Sequence, residues 1–394
     1  MRYRNLFLGF LTANAATFLS FYGCELKSGG TGGGGPDPGS DGGIDGSKTD
    51  SGPGGKCPGK NIQTDPDNCG DCDHSCGGAG ATCTAGKCDP VRFAPVSVAA
   101  LPYSTDLALD QGGAVVTNGL DVGGVYYVPF DGAGRIDTIA APQIGPKGPS
   151  SDGTRVCWGL GNNTLPCSLR DGGSLVLATD TVGSPRSTAI VGADAYWITN
   201  VASDLRRFPL DGSTNKATIV ATSQGGLSGG RSLVLDGTRF VWIARDAKLI
   251  AAATLDGTLP VAATTVARVP LVYPNAVAVG SNAYYVVAED NSGELGGLYR
   301  APKDGTGGDA TALVRQSLVE PAIAIDAKYV YYTDRNGGTI YRFPLDATLP
   351  DGGTPSPEPI AKGQGSPTSI GVTDKFVYWL NVSGPLTGLM RVAK

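Results

Sequence analysis

Residues 322–347, AIAIDAKYVYYTDRNGGTIYRFPLDA, hold one copy of a pattern that decides the fold. Small apolar residues alternate up to Asp326, Tyr331 and Tyr332 stand five and six places beyond it, and the turn segment PLDA ends the copy at 344–347. Period-two alternation between Asp- and Gly-containing turns signals short antiparallel strands. Aligning the first turn residue finds seven copies, at Asp110, Asp152, Gly192, Asp236, Gly280, Asp326 and Thr373, with successive gaps of 42, 40, 44, 44, 46 and 47 residues. At the fifth and sixth places after each stand pairs such as Cys157-Trp158, Trp197-Ile198, Val241-Trp242 and Tyr378-Trp379. A second turn recurs as PFDG (129–132), RDGG (170–173), PLDG (209–212), TLDG (254–257) and PKDG (302–305). About four short strands per copy make the unit of a propeller blade, so an all-β, seven-bladed β-propeller is expected over residues 91–394, with six or eight blades as the neighbouring counts. A β-sandwich is the competing architecture, but sandwiches do not repeat a turn residue at near-constant spacing.

Composition agrees. The 394 residues include 60 Gly and only 17% charged residues, too rich in glycine for a helical bundle, while 41% apolar residues suffice for a sizeable core. A net charge of -5 gives no reason to expect nucleic acid as a partner. The last copy ends at MRVAK, one strand short, and residues 94–101, APVSVAAL, form a strand without a hairpin partner. Pairing the two would close the ring and remove two open edges. The second copy is degenerate, with PSSDG in place of alternating apolar residues, and carries Cys157 and Cys167, which a cross-strand disulfide would join.

Ahead of the repeats lie three further segments. Residues 1–23 carry two arginines and then an apolar stretch, the layout of a secretory signal. Residues 24–56 begin with Cys24 and are nearly all Gly, Ser, Asp, Pro and Thr, a disordered tether. Residues 57–90 hold six cysteines, Cys57, Cys69, Cys72, Cys76, Cys83 and Cys88, which in an exported chain read as three disulfides with fifteen pairings open. Zinc on Cys69, Cys72, His74 and Cys76 is the alternative, disfavoured by the even cysteine count and an oxidising compartment.

The cysteine closing an apolar leader, ahead of a glycine-rich tail, resembles the lipobox of bacterial lipoproteins, which implies lipidation at Cys24 and a place at the outer membrane or cell surface. Phe21 and Tyr22 depart from the family's preferences, and cleavage after Ala13-Asn14-Ala15 would instead release a soluble periplasmic or secreted protein. The run DNCGDCDHSC followed by GKC resembles Stig1-like cysteine modules of myxobacterial lipoproteins. YYTD at 331–334 and YWITN at 196–200 resemble the repeats of six-bladed YWTD propellers, and more closely bacterial IAVD–VYWTN–PLDG repeats; the likeness implies an extracellular binding platform.

Residues 91–394 contain no histidine, because the single one is His74, so no imidazole-based triad or two-histidine metal site is expected there, and no cofactor or metal. Carboxylates gather in the loop after the aromatic strand, and the candidate binding face is Asp121, Asp204, Arg245, Asp246, Glu289, Asp290, Asp334 and Arg335. The expected role is a monomeric, exported module that binds an extracellular glycan, peptide or protein and touches the membrane only through its anchor. The alternative is an exported carbohydrate-active enzyme using a carboxylate pair in the channel.

Overall fold

The computed structural model describes residues 60–394, apart from 78–79, 95–104, 120–121, 132–134, 174–175, 180–182, 223–228, 271, 292 and 346–355. The leader, Cys24, the tether, Cys57 and Asp121 therefore lie outside the described residues. Seven sheets follow one another along the chain, each built on four antiparallel strands. Blade 1 runs Thr105–Leu109, Gly113–Asn118, Gly123–Pro129 and Asp137–Gln143. The first strands of blades 2 to 7 are Lys147–Ser151, Pro185–Val191, Gly230–Asp236, Tyr273–Val279, Ile323–Ile325 and Pro367–Val372. These seven first strands touch one another in sequence and back to the start, which makes them the inner wall of a closed ring.

The seam closes as the strand deficit implied, but the described closing strand, Val91–Ala94, antiparallel to Gly388–Ala393, starts three residues before the expected segment 94–101, of which 95–101 lie outside the described residues. Aromatic content explains the earlier start. Phe93 meets Tyr378 at 5.8 Å and Phe130 at 6.0 Å, with the Arg391 guanidinium 4.5 Å over its ring, whereas APVSVAAL offers no side chain of that size.

The core lies between blades. Trp158, Trp197, Trp242 and Trp379, on the second strands, are fully buried. Three neighbouring blade pairs are pinned by a repeated contact in which a glutamine oxygen at or just beyond the end of one blade accepts from the aromatic of the next: Trp158 to Gln143 (3.2 Å), Tyr332 to Gln316 (3.0 Å) and Trp379 to Gln364 (3.1 Å). On the opposite face, the anchor aspartate of one blade reaches the next. Asp236 accepts from Lys303 (2.9 Å) and Tyr284 (2.8 Å), and Asp326 accepts from Lys394 (2.7 Å). Asp110 accepts from Tyr127 (3.1 Å), whose hydroxyl also accepts from Arg170 (3.0 Å). Arg170, Lys303 and Lys394 each follow directly on the third strand of their blade. Blade edges are stitched as well: Val261–Ala262, from blade 4, pairs in parallel with the outer strand Thr218–Thr222 of blade 3.

Disulfides join Cys69 to Cys83 and Cys76 to Cys88, and Cys72 is disulfide-bonded too. The sulfurs of Cys69, Cys76 and Cys88 lie within 4.8 Å of one another, but they are spent in these bridges. The cysteine segment packs on blades 6 and 7, its cystines sharing a core with Tyr331, Trp379 and Met390. Lys87 pairs with Glu358 (3.0 Å) and Arg391 donates to the Gly77 carbonyl (2.5 Å). Cys157 and Cys167 face each other across the second and third strands of blade 2 and are bonded, with Cα atoms 4.1 Å apart. Replacing both by alanine is expected to lower stability by about 2 kcal/mol, from loss of the short closed loop in the unfolded chain. Urea unfolding of the variant against the oxidised parent checks this.

Candidate functional site

Antiparallel order within a blade sends the second-to-third loops and the blade-to-blade connections to one face of the ring. The seven described sequence-predicted residues belong to that face by topology, and Asp121 lies outside the described residues. Most of them are held by groups of their own or neighbouring loops. Asp290 accepts from Gly296 N (2.7 Å), Ser317 Oγ (2.5 Å) and Leu318 N (3.1 Å). Burial alone would raise the pKa of Asp290, but these hydrogen bonds outweigh it and hold the carboxyl below its usual value. Asp334 is buried and accepts from Gly337 N (2.8 Å), and Arg335 is paired with Glu320. Asp204 lies 4.0 Å from the nearly buried Arg206. Asp246 packs against Gly229, whose φ of 72° is left-handed and where a Cβ would come 3.1 Å from the Asp246 carboxylate. The structure brings two of the seven together: Arg245 and Glu289 form an ion pair at 2.7 Å, with the Arg245 guanidinium 4.6 Å over the Tyr273 ring.

The inner wall supplies what the loops do not. Near the start of the first strand of blades 1 to 7 stand Asp106, Lys147, Arg186, Arg231, Asn275, Ala322 and Thr368, one equivalent position per blade. In several blades the ladder slips there: the pairing shifts between Pro185 and Ser187, between Pro274 and Ala276 and between Pro367 and Ile370, leaving Arg186, Asn275 and Thr368 among the extra residues. Such bulges re-aim side chains at a sheet's rim. Arg231 donates to Asn275 Oδ1 (2.6 Å), and Asn275 Nδ2 donates to the Pro321 carbonyl (2.8 Å), which ties blades 4, 5 and 6 together at the channel mouth. The Gly148 N–H donates to Asp106 (2.8 Å), and a Cβ on Gly148 would collide with the Arg186 carbonyl, so glycine permits blades 2 and 3 to approach there.

Electrostatics show that these side chains share one space. Burial raises the carboxyl of Asp106 above its ordinary pKa, against the pull of Lys147, Arg186 and Arg231. Burial lowers Lys147, and the neighbouring Arg186 lowers it further while Asp106 opposes. Arg231 is lowered by burial and then by Arg245 and Arg186, with Glu289 and Asp106 opposing. Charges on four consecutive blades thus act on one another across the mouth, three of them cationic in a protein of net charge -5. A carboxyl whose folded pKa is raised supports folding only below its unfolded pKa and loses that support as pH rises. Asp106→Asn, which keeps an acceptor for Gly148, is therefore expected to raise the melting temperature at pH 7 by about 2 °C and to do nothing at about pH 3, as read by calorimetry.

Exposed apolar side chains are distributed unevenly. Val122 (73% exposed), Val201 (60%), Ile144 (55%), Leu295, Val319 and Leu386 all lie on loops of the channel-mouth face. Leu169, Leu177 and Leu235 are the exposed large apolar residues elsewhere among the described residues. The opposite face holds a cavity of about 450 Å³ between blades 5 and 6, lined by Asn282, Tyr285, Arg300 and Thr311 among others.

No protein-family model matches the chain, and no curated protein does. Among solved structures the chain is similar to a streptogramin B lyase, with a TM-score of 0.59 at 13% identity over 77% of this chain and 96% of that one. It is also similar to YCF48 bound to a D1 peptide, at TM-score 0.54 and 14% identity over 78% and 96% of the two chains. The WD40 propeller domain of Doa1 gives 0.53 and 12% over 73% and 91%. At these identities the likeness establishes the propeller fold.

Proposed function

We propose that this protein is an exported binding module, anchored by a lipid on Cys24 and presenting the channel-mouth face of its propeller to an extracellular ligand or partner. The observation that carries the reading is the asymmetry of exposed apolar residues: among the described residues, six ring one face around a charged channel and three lie elsewhere. Single exposed apolar residues are ordinary, but their concentration on one face marks an interaction surface. Support for the anchor comes from the apolar leader ending at Cys24 and the glycine-rich stretch behind it. The carbohydrate-active alternative draws less support, since Asp290 and Asp334 are engaged by donors of the surrounding loops and Glu289 is paired with Arg245.

A ligand that binds only the folded chain raises its melting temperature. A thermal-shift screen against glycans, cell-wall fragments, short peptides and calcium is expected to find a ligand whose shift is abolished by Val122→Ser with Val201→Ser and kept in Leu235→Ser on the other face. A shift lost only in Leu235→Ser would move the site to the opposite face. For the anchor, radioactive fatty acid is expected to label the parent and not Cys24→Ser; equal labelling would remove it.

A further inference from the structure

We infer that the channel mouth selects acidic peptide segments, taking carboxylates on Lys147, Arg186 and Arg231 and apolar side chains on the rim residues Val122, Ile144 and Val201. The inference rests on the binding-module reading and names its ligand class. Three cations stand on the inner wall of three consecutive blades, facing one acid, Asp106. Among the described residues the Lys147 and Arg186 side chains make no hydrogen bond or ion pair; Arg186 is exposed and Lys147 half-buried, so the Arg186 charge above all is open to an incoming ligand. Mutual repulsion makes that arrangement unfavourable in the free protein, as the downward pressure of Arg186 on both Lys147 and Arg231 shows. An anion relieves the repulsion, and the planar guanidinium forks of Arg186 and Arg231 suit a carboxylate.

The rim decides between kinds of anion. Val122 and Val201 lie on the second-to-third loops of blades 1 and 3, and Ile144 on the connection between blades 1 and 2, so exposed apolar side chains border the cationic arc. A sulfated or phosphorylated glycan would leave these apolar surfaces unused. A chain that alternates acidic and aliphatic side chains uses both, with charge complementarity setting orientation and on-rate.

The test uses the full 394-residue chain. The probe is a fluorescein-labelled dodecapeptide of alternating Glu and Leu, with two comparison peptides, Gln in place of Glu and Ser in place of Leu. Fluorescence anisotropy is expected to show saturable binding of the Glu-Leu peptide that weakens with added salt, and weakening of roughly tenfold or more when either Glu or Leu is replaced. Arg186→Gln with Lys147→Gln is expected to weaken it by a similar factor, and Asp106→Asn to tighten it about threefold. Arg186 is exposed and Lys147 unbonded, so this pair of changes should leave the fold intact, which the melting temperature verifies.

Equal affinity for the Glu and Gln peptides, or unchanged affinity in the double variant, would overturn the acidic-ligand assignment while leaving the binding face standing. Charge-dependent binding of a heparin fragment without binding of the Glu-Leu peptide would overturn the peptide class. Binding that survives Val122→Ser with Val201→Ser but is lost in Leu235→Ser would overturn the face itself, and with it the reading beneath.

Discussion

A chain beginning at Pro95 is expected to fail to form a stable monomer, while a chain beginning at Pro90 folds. The two differ by residues 90–94, of which Val91–Ala94 are the closing strand. Without it, Gly388–Ala393 becomes an open edge strand and blade 7 loses its outer member. Ala94 is fully buried, and Phe93 links Phe130 of blade 1 to Tyr378 of blade 7 beneath the Arg391 guanidinium. Phe93→Ala alone is expected to cost about 2 kcal/mol, below the usual range for a core phenylalanine because the ring is only partly buried. Removing the whole strand also removes its ladder hydrogen bonds and invites edge-to-edge association, for a total loss on the order of 5 kcal/mol. Size-exclusion chromatography and urea unfolding of the two truncations check this. Aggregation of both would mean that the packing of the cysteine segment on blades 6 and 7, rather than the seam, holds the ring.

The ring was legible in the sequence because turns have chemistry and blades have a period. Asp-Gly turns need few residue types, so their spacing survives while the strands between them vary. The seam was legible as a deficit of one strand, but its start was misplaced from Val91 to Ala94, because a propensity reading weighs VSVAAL above VRFA and cannot see Phe93 meeting Tyr378. The channel mouth was not legible for a different reason. Its seven equivalent positions hold Asp, Lys, Arg, Arg, Asn, Ala and Thr, and no residue type repeats often enough to align. A weaker signal was present: five of the seven follow a proline, in Pro146-Lys147, Pro185-Arg186, Pro274-Asn275, Pro321-Ala322 and Pro367-Thr368. Proline near the start of an inner strand marks where the ladder begins, and the residue after it stands at the mouth of the ring.

Acid should unfold this protein by cutting the ties between blades. Asp236 and Asp326 begin as turn residues: Asp326 accepts from the N–H groups of Lys328 and Tyr329, both at 2.8 Å. Each then reaches the cation that follows the third strand of the next blade, Lys303 and Lys394. Partial burial would raise both carboxyls, yet hydrogen bonds from the lysines, from tyrosine hydroxyls and, for Asp326, from its turn outweigh it, and both end below their ordinary value. Burial first, and then the contact with Asp236, push the Tyr284 hydroxyl up to about 12. A carboxyl whose folded pKa is lowered adds stability above its unfolded pKa of about 3.9 and loses it as pH falls through the folded value. The contribution of the two ties should therefore be level from neutral pH to about pH 5 and then fall, amounting together to about 4 kcal/mol at the top, given roughly 2 kcal/mol for a charge-assisted contact. Asp236→Asn with Asp326→Asn is expected to lower stability at pH 7 by that amount and to flatten the profile between about pH 5 and pH 3. Urea midpoints measured across this range separate the outcomes. A double variant as acid-sensitive as the parent would place the sensitivity elsewhere, with Asp290 and its three donors at the channel mouth the next carboxylate to change.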